Sequence, residues 1–210
     1  MTIKCLSFDL DGTLLLDESK RMDPRTVNSI QRAMAQGMHV VIASGRDKNG
    51  CKFVYEPLGL ENGNHFLALV NGQIIYDFEN KEYDLDDVLT TEDGIKIQKV
   101  CKEFGVEGIF QCGYDFYSYI SSLNRVKKKV KNAIFGELDD YGLKDGKENR
   151  NFIDLPFEEI RLTQDINKVI MVHSPRFFEK NFEGIKAALS DYDVLLIGPD
   201  WLEIMPKHVN

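Results

Sequence analysis

The stretch FDLDGTLL, residues 8–15, sets two aspartates two residues apart at the end of an apolar run. That run, IKCLSF at residues 3–8, has little polar interruption and reads as a short strand. Charged pairs are unusual at the end of a buried strand. A turn-forming role accounts for Asp-Gly alone, because Asp side chains cap turns and helices. It accounts poorly for Asp-x-Asp-Gly-Thr straight after a strand. Asp9 has the chemistry of a carboxylate nucleophile that forms an aspartyl-phosphate. Asp11 has that of a general acid that protonates a leaving oxygen and then activates water. Carboxylates so close repel each other and invite a divalent cation. Mg²⁺ takes a few carboxylate oxygens together with water and substrate phosphate. Gly12 permits close backbone approach, and Thr13 opens a turn whose N–H groups are expected to face an anion.

Outward from this stretch, strand and helix alternate. DPRTVNSIQRAMAQG, residues 23–37, reads as a helix with Asp23 as N-cap, Pro24 as first helical residue and Gly37 at the C-terminal cap. Val27, Ile30 and Met34 share one of its faces. HVVIAS (39–44) is a second strand, and a less regular helical stretch runs from Asp47 to about Leu60. HFLALV (65–70) is a third strand, after which Asn71-Gly72 makes a hairpin turn into QIIYDF (73–78). This order implies a parallel sheet with right-handed crossovers. Ligands of such sheets bind beyond the carboxyl ends of the strands. Asp9 and Asp11 follow the first strand, Ser44, Gly45 and Arg46 the second, and Asn71 the third. The three sets therefore converge at one sheet end. Ser44 offers a hydroxyl and an N–H to a phosphate oxygen at a helix entry.

From about residue 81 the texture changes. NKEYDLDD (80–87) reads as a charged connector, and TEDGIKIQKVCKEFG (91–105) as a helix. GIFQCGYDFYSYIS (108–121) reads as one or two strands, and NRVKKKVKNAIFGEL (124–138) as a helix whose basic run, residues 125–131, is its wet face. NKVIMVHS, PRFFEKNFEGIKAALSDY, DVLLIG and WLEIMP then give strand, helix, strand, strand. The expected fold class is α/β: a Rossmann-like parallel-sheet core over residues 1–80, and a second, α+β cap domain over residues 81–210.

Bulk properties narrow the function. A chain of 210 residues suits one large domain or two small ones, and a formal charge of −8 argues against general nucleic-acid binding. No apolar run reaches the length of a membrane span, and MTIKCLSFD does not have the form of a signal peptide. Cys5, Cys51, Cys101 and Cys112 are scattered, without a CxxC pair, as expected of reduced thiols in a cytoplasm. His39, His65, His173 and His208 lack ligand spacing and read as structural or exposed. The aromatics Tyr114, Phe116, Tyr117 and Tyr119 alternate in a strand, a pattern that more often fills a core than lines a pocket.

Asp9-Leu10-Asp11-Gly12-Thr13-Leu14, Ala43-Ser44-Gly45-Arg46 and Val70-Asn71-Gly72, in this order, resemble the haloacid dehalogenase-like phosphatases of the Cof-type branch, which carry a large α/β cap. The resemblance extends through the cap-like segment to WLEIMP. It implies Asp9 as nucleophile, Asp11 as general acid/base, and Mg²⁺ held by the Asp9 carboxylate and the Asp11 backbone carbonyl. It also implies phosphate binding by Ser44, and small phosphorylated metabolites, such as sugar phosphates, as substrates. The second aspartate favours phosphatase over dehalogenase. The resemblance further implies a lysine and a GD-x-x-[ND]-D-like acidic motif after the cap, and neither has a match in residues 1–210. Three expectations follow. The core is incomplete at its C-terminal side, as in a truncated form. Its first strand is an apolar edge that seeks a partner, including a second copy of the chain. Turnover is slow, since each missing electrostatic stabiliser costs on the order of 10²–10³ in rate. The alternative reading is a non-catalytic relic that binds an anion or a protein partner.

Overall fold

The computed structural model describes residues 3–15, 21–85, 87–113, 115–121, 126, 151–157, 162 and 165–207. Apart from Val126, which is helical and exposed, the helix expected at 124–138 lies outside the described residues, and so do Tyr114 and His208. The chain divides into two compact units, Met1–Asp87 and Val88–His208.

The first unit is built on a five-stranded sheet ordered β1 (Cys5–Asp9), β2 (His39–Ala43), β3 (Phe66–Leu69), β4 (Ile74–Asp77) and β5 (Glu82–Leu85). The first three strands are parallel, and β4 and β5 return antiparallel. Helix α1 (Pro24–Ala35) crosses from β1 to β2. It starts where the sequence places it: the Asp23 carboxylate accepts from Arg25 N at 2.8 Å, and Pro24 leads the first turn. It stops because Gly37 takes a left-handed φ of +83°, open to glycine at little cost. Val27, Ile30 and Met34 pack on the sheet as their spacing requires. Between β2 and β3 a short 3-10 turn, Asn49–Cys51, leads into α2 (Lys52–Leu58), which buries Val54, Tyr55 and Leu58. The core of this unit gathers Leu10, Val40, Ile42, Leu67 and Leu69, all 0–1% exposed. Each such side chain contributes about 1.5–3 kcal/mol on burial.

Two local readings change. Residues 82–85, read as part of a connector, form β5, with Tyr83 paired to Tyr76 and Leu85 to Ile74. Charge hid the strand, because an outer strand keeps Glu82 and Asp84 in water while still using its ladder. The turn at Asn71-Gly72 is longer than a two-residue hairpin. It spans residues 70–73, with Val70, Asn71 and Gly72 all at positive φ (50°, 59° and 89°).

The second unit carries a six-stranded sheet ordered β10 (Asp193–Gly198), β11 (Trp201–Met205), β9 (Lys168–Val172), β6 (Glu107–Cys112), β7 (Asp115–Ile120) and β8 (Asn151–Pro156). All neighbours are antiparallel except β7 and β8. Strand β8 escapes a sequence reading because NFIDLP breaks its apolar alternation with Asp154 and ends on proline. Helices α3 (Thr91–Phe104) and α4 (Pro175–Ala188) pack on this sheet through Ile97, Cys101, Phe178 and Ile185. Helix α3 begins in a capping box, where Thr90 Oγ1 accepts from Asp93 N at 3.2 Å and Asp93 Oδ2 accepts from Thr90 N at 2.9 Å. Across β9 and β11, Lys168 Nζ lies 2.7 Å from Glu203 Oε1, both side chains under 10% exposed. Trp201 Nε1 donates to the same oxygen at 3.1 Å. Tyr117 and Tyr119 are core or core-packed residues, and Phe116 packs against Ile109 and Ile170. Among the described residues no helix is long and apolar enough to cross a membrane.

Candidate active site

Asp9 is the last residue of β1, and the chain folds back on itself directly after it. Leu15 N donates to Leu10 O at 2.9 Å, Gly12 N to Leu15 O at 2.8 Å, Thr13 N to Leu10 O at 3.3 Å and Leu14 N to Asp9 O at 3.4 Å. Leu10, Leu14 and Leu15 are buried beneath this loop, while Asp11, Gly12 and Thr13 stay exposed above it. The apolar-polar pattern of LDGTLL thus acts as a plug that lifts a carboxylate into solvent. Gly12 is required by its φ of +81°, not by crowding, since a Cβ there would meet nothing within 4 Å.

These bonds correct one expectation. The N–H groups of the turn that Thr13 opens, those of Thr13, Leu14 and Leu15, are bonded to Leu10 O and Asp9 O within the loop. Among the described residues, the Asp11 N–H and C=O remain outside the loop's own hydrogen bonds. The Thr13 hydroxyl instead approaches the nucleophile candidate, with Oγ1 3.4 Å from Asp9 Oδ2.

The ends of β2 and β3 meet this loop. Arg46 grips Asp11 with two prongs, Nη2 to Oδ1 at 3.1 Å and Nε to Oδ2 at 3.3 Å. The fork matches the planar guanidinium to the planar carboxylate. The sequence places Arg46 among the candidate substrate-binding residues of this sheet end; here its side chain pairs with Asp11. Nothing in SGR alone signals that pairing, which joins residues 35 apart. Ser44 is nearly buried, and its Oγ accepts from Arg46 N at 3.2 Å. Asn71 N donates to Ser44 O at 3.3 Å and Val70 N to Arg46 O at 3.0 Å, so the β3 turn braces the β2 loop. The positive φ of Val70 and Asn71 turns those two N–H groups toward residues 44–46. Gly45 is exposed at the crest of the loop. Asp47 is buried and caps Gly50 N at 2.6 Å, starting the 3-10 turn. Cys51, at its end, is fully buried, and burial pushes its thiol up to about 12. A thiol held neutral there is packing, not a nucleophile.

His65 serves the scaffold of the same sheet, its Nδ1 accepting from Val40 N at 3.1 Å. Burial, and then the neighbouring His39, hold its pKa below the usual histidine value, which keeps that nitrogen an acceptor. His173 stacks on Phe177 in the second unit. Neither approaches a ligand set.

The donors at the β1 end fit a hard cation such as Mg²⁺: the Asp9 carboxylate is exposed and meets the loop only through the long contact of its Oδ2 with Thr13, and the Asp11 carbonyl lies outside the loop's own backbone bonds. Among the described residues no group of three or more His, Cys, Asp or Glu side chains assembles to hold a metal by itself. Water and substrate oxygen would complete the shell.

The sequence profile of the haloacid dehalogenase-like hydrolases matches residues 6–210. The chain belongs to the haloacid dehalogenase-like hydrolases. Over its full length it is 28% identical to a Streptococcus pyogenes protein named "Putative phosphatase M6_Spy0533", of which it spans 72%. Over 36% of the chain it is 39% identical to 28% of the Bacillus subtilis 5-amino-6-(5-phospho-D-ribitylamino)uracil phosphatase YcsE. Among solved structures, a haloacid dehalogenase-like hydrolase from Bacteroides thetaiotaomicron superposes with a TM-score of 0.75 at 20% identity, covering the whole chain and 73% of that protein. TM0651 from Thermotoga maritima does so with a TM-score of 0.70 at 20% identity, covering the whole chain and 71% of that protein. At such identity the superpositions speak to fold alone. The curated relatives are named as phosphatases, and phosphate-ester hydrolysis is the activity that membership supports.

Proposed function

We propose that the chain is a Mg²⁺-dependent phosphatase of small phosphorylated metabolites, sugar phosphates among them, working through an aspartyl-phosphate on Asp9. The observation that carries this reading is the Arg46 fork on Asp11, two residues from an exposed Asp9, at the sheet end where Ser44 and Asn71 also meet. It supports a division of labour that neither carboxylate has alone. An Asp9 oxygen attacks phosphorus and the ester P–O bond breaks. The leaving alkoxide takes the proton of the Asp11 carboxyl. Asp11 then takes a proton from water, whose oxygen attacks the phosphoryl group. The bond to Asp9 breaks, releasing phosphate and restoring both carboxyl groups. Arg46 holds the Asp11 carboxyl in one orientation through both transfers. Ser44 and the Asp11 N–H are the donors on hand for phosphate oxygens. The Asp9 carboxylate and the Asp11 carbonyl would hold Mg²⁺, which would supply charge neutralisation to the reaction.

Mg²⁺-dependent release of phosphate from p-nitrophenyl phosphate and sugar monophosphates tests the reading, with Asp9→Asn as control. Activity that falls at least about 10³-fold in the variant supports it. Equal rates in parent and variant overturn it.

Self-association and a reducing, cytoplasmic setting belong to the same proposal. Strand β1 pairs with β2 alone among the described strands, and Leu6 and Phe8 line a groove beside Ile30 of α1. An open ladder beside an apolar groove is a surface on which a second copy can add its own β1. A clean, stable monomer by light scattering would count against this. Cys5, Cys51, Cys101 and Cys112 are in no disulfide, as a reducing compartment keeps them.

A further inference from the structure

Two residues beyond Arg46, the side chain of Lys48 turns away from the carboxylates and lies on aromatic rings. Its Nζ is 3.5 Å from the centroid of Tyr76 and 5.9 Å from those of Phe78 and Tyr83. Among the described residues no carboxylate forms an ion pair with it. The rings form one continuous group. Tyr76 on β4 and Tyr83 on β5 are paired across the ladder with centroids 4.6 Å apart, and Phe78 meets Tyr76 edge-on at 5.0 Å. Tyr55 of α2 backs Phe78 at 5.1 Å. Tyr76 and Phe78 are nearly buried, so the cation sits against a desolvated face, where its attraction to the ring quadrupole is strongest.

The placement gives this contact a use. Residues 44–51 carry Ser44, which is nearly buried, and Arg46, which grips Asp11. Backbone bonds from Val70 and Asn71 brace the start of the segment. Lys48 pins its far half to the β4–β5 hairpin. We infer that Lys48 is a positioning residue: its ammonium, seated on Tyr76, Phe78 and Tyr83, fixes the loop that presents Ser44 and Arg46 to the reacting groups. The inference rests on the phosphatase reading of this site. The carboxylate of Asp11 is held by Arg46, and Lys48 acts through the loop that carries Arg46 and Ser44. A pinned loop also explains why β5, a charged outer strand, bears a half-exposed Tyr83 at this register.

The test uses the 210-residue chain with Lys48→Met, Lys48→Arg and Tyr76→Leu. A loop that loses its anchor misplaces Ser44 and Arg46 together. Lys48→Met is then expected to raise KM for p-nitrophenyl phosphate about five-fold and to lower kcat about ten-fold. Arginine also stacks on aromatic faces, so Lys48→Arg is expected to restore both constants to within about two-fold of the parent. A merely structural role would lower kcat through a reduced active fraction and leave KM unchanged. That outcome, Lys48→Met constants within about two-fold of the parent, or an arginine that fails to rescue, each overturns the inference.

A second measurement does not depend on turnover. Cys51 ends the turn that Lys48 introduces and is fully buried. Its alkylation by iodoacetamide, followed by peptide mass spectrometry, reports opening of the loop. Rates should rise at least about ten-fold in Lys48→Met and Tyr76→Leu and stay near the parent in Lys48→Arg. Unchanged rates in Lys48→Met overturn the anchoring itself. Should the parent chain release no phosphate while Lys48→Met exposes Cys51, the anchor stands and the phosphatase reading is what fails.

Discussion

Replacing Arg46 with methionine separates the two jobs an ion pair can have. The Arg46–Asp11 contact has good fork geometry, at 3.1 and 3.3 Å, but the Asp11 side chain is 64% exposed and that of Arg46 27% exposed. Water screens such a pair, so its contribution to stability is small, about 0.5–1 kcal/mol. The methionine stem retains part of the packing that the arginine stem makes beside Phe53, over whose ring the guanidinium sits at 5.7 Å. For a chain of this length such a loss lowers Tm by roughly 1–4 °C. The effect on rate is of another size. Asp11 must meet a leaving oxygen and then a water in fixed geometry, and a displacement of about 1 Å costs on the order of 10²-fold. Arg46→Met is therefore expected to lose about 10²-fold in kcat/KM while melting within a few degrees of the parent. Arg46→Lys, which keeps the charge and loses the fork, should fall between. The assay is phosphate release from p-nitrophenyl phosphate with Mg²⁺, beside a thermal melt of each variant and Asp9→Asn as the inactive baseline. Arg46→Met turning over within about three-fold of the parent would refute the positioning argument. A melting point lowered by about 10 °C or more would show instead that the pair holds the fold.

Three further outcomes follow from the same structure. Asp23, with its carboxyl lowered to about 2 chiefly by the Arg25 side chain, adds stability that is present above pH 4 and lost as pH falls toward 2. Asp23→Asn should therefore melt below the parent at pH 7 and converge with it near pH 2; an unchanged gap between them at both pH values would contradict this. In Gly94→Ala, a Cβ would stand 2.4 Å from Ile166 Cδ1 and 2.7 Å from Leu162 Cδ1, both buried side chains. Overpacking by about 1–3 kcal/mol should outweigh the helix-propensity gain of about 1 kcal/mol, and a rise in urea midpoint would refute the clash. Glu203→Gln removes the negative charge paired with the buried Lys168 ammonium and should cost about 3 kcal/mol, whereas Lys168→Met with Glu203→Gln, which keeps an acceptor for Trp201, should cost less; equal losses by denaturation would refute that account.

Periodicity and caps carried the first unit a long way. Asp23-Pro24 and Gly37 marked both ends of α1, and Val27, Ile30 and Met34 gave its buried face, because capping and amphipathic spacing are local properties. Convergence of Asp9, Asp11, Ser44 and Asn71 was also legible, since right-handed crossovers bring parallel strand ends to one side. β5 and β8 were not. An outer strand is specified by its ladder partner, and neither the charged EYDL nor NFIDLP carries a pattern that names one.

The site shows the same division. By itself the sequence determined which chemical groups stand at the strand ends: two carboxylates, a glycine able to turn between them and the plug leucines, a serine and a cation. Only the tertiary structure decided which group touches which. The N–H groups of the turn that Thr13 opens, expected to face an anion, are bonded within the loop itself. Arg46 pairs with Asp11, and among the described residues Lys48 meets a set of rings rather than a carboxylate. Spacing along a chain fixes where backbone ends emerge. The pairing of long, rotatable side chains across 35 residues depends on distances that exist only after the strands have packed.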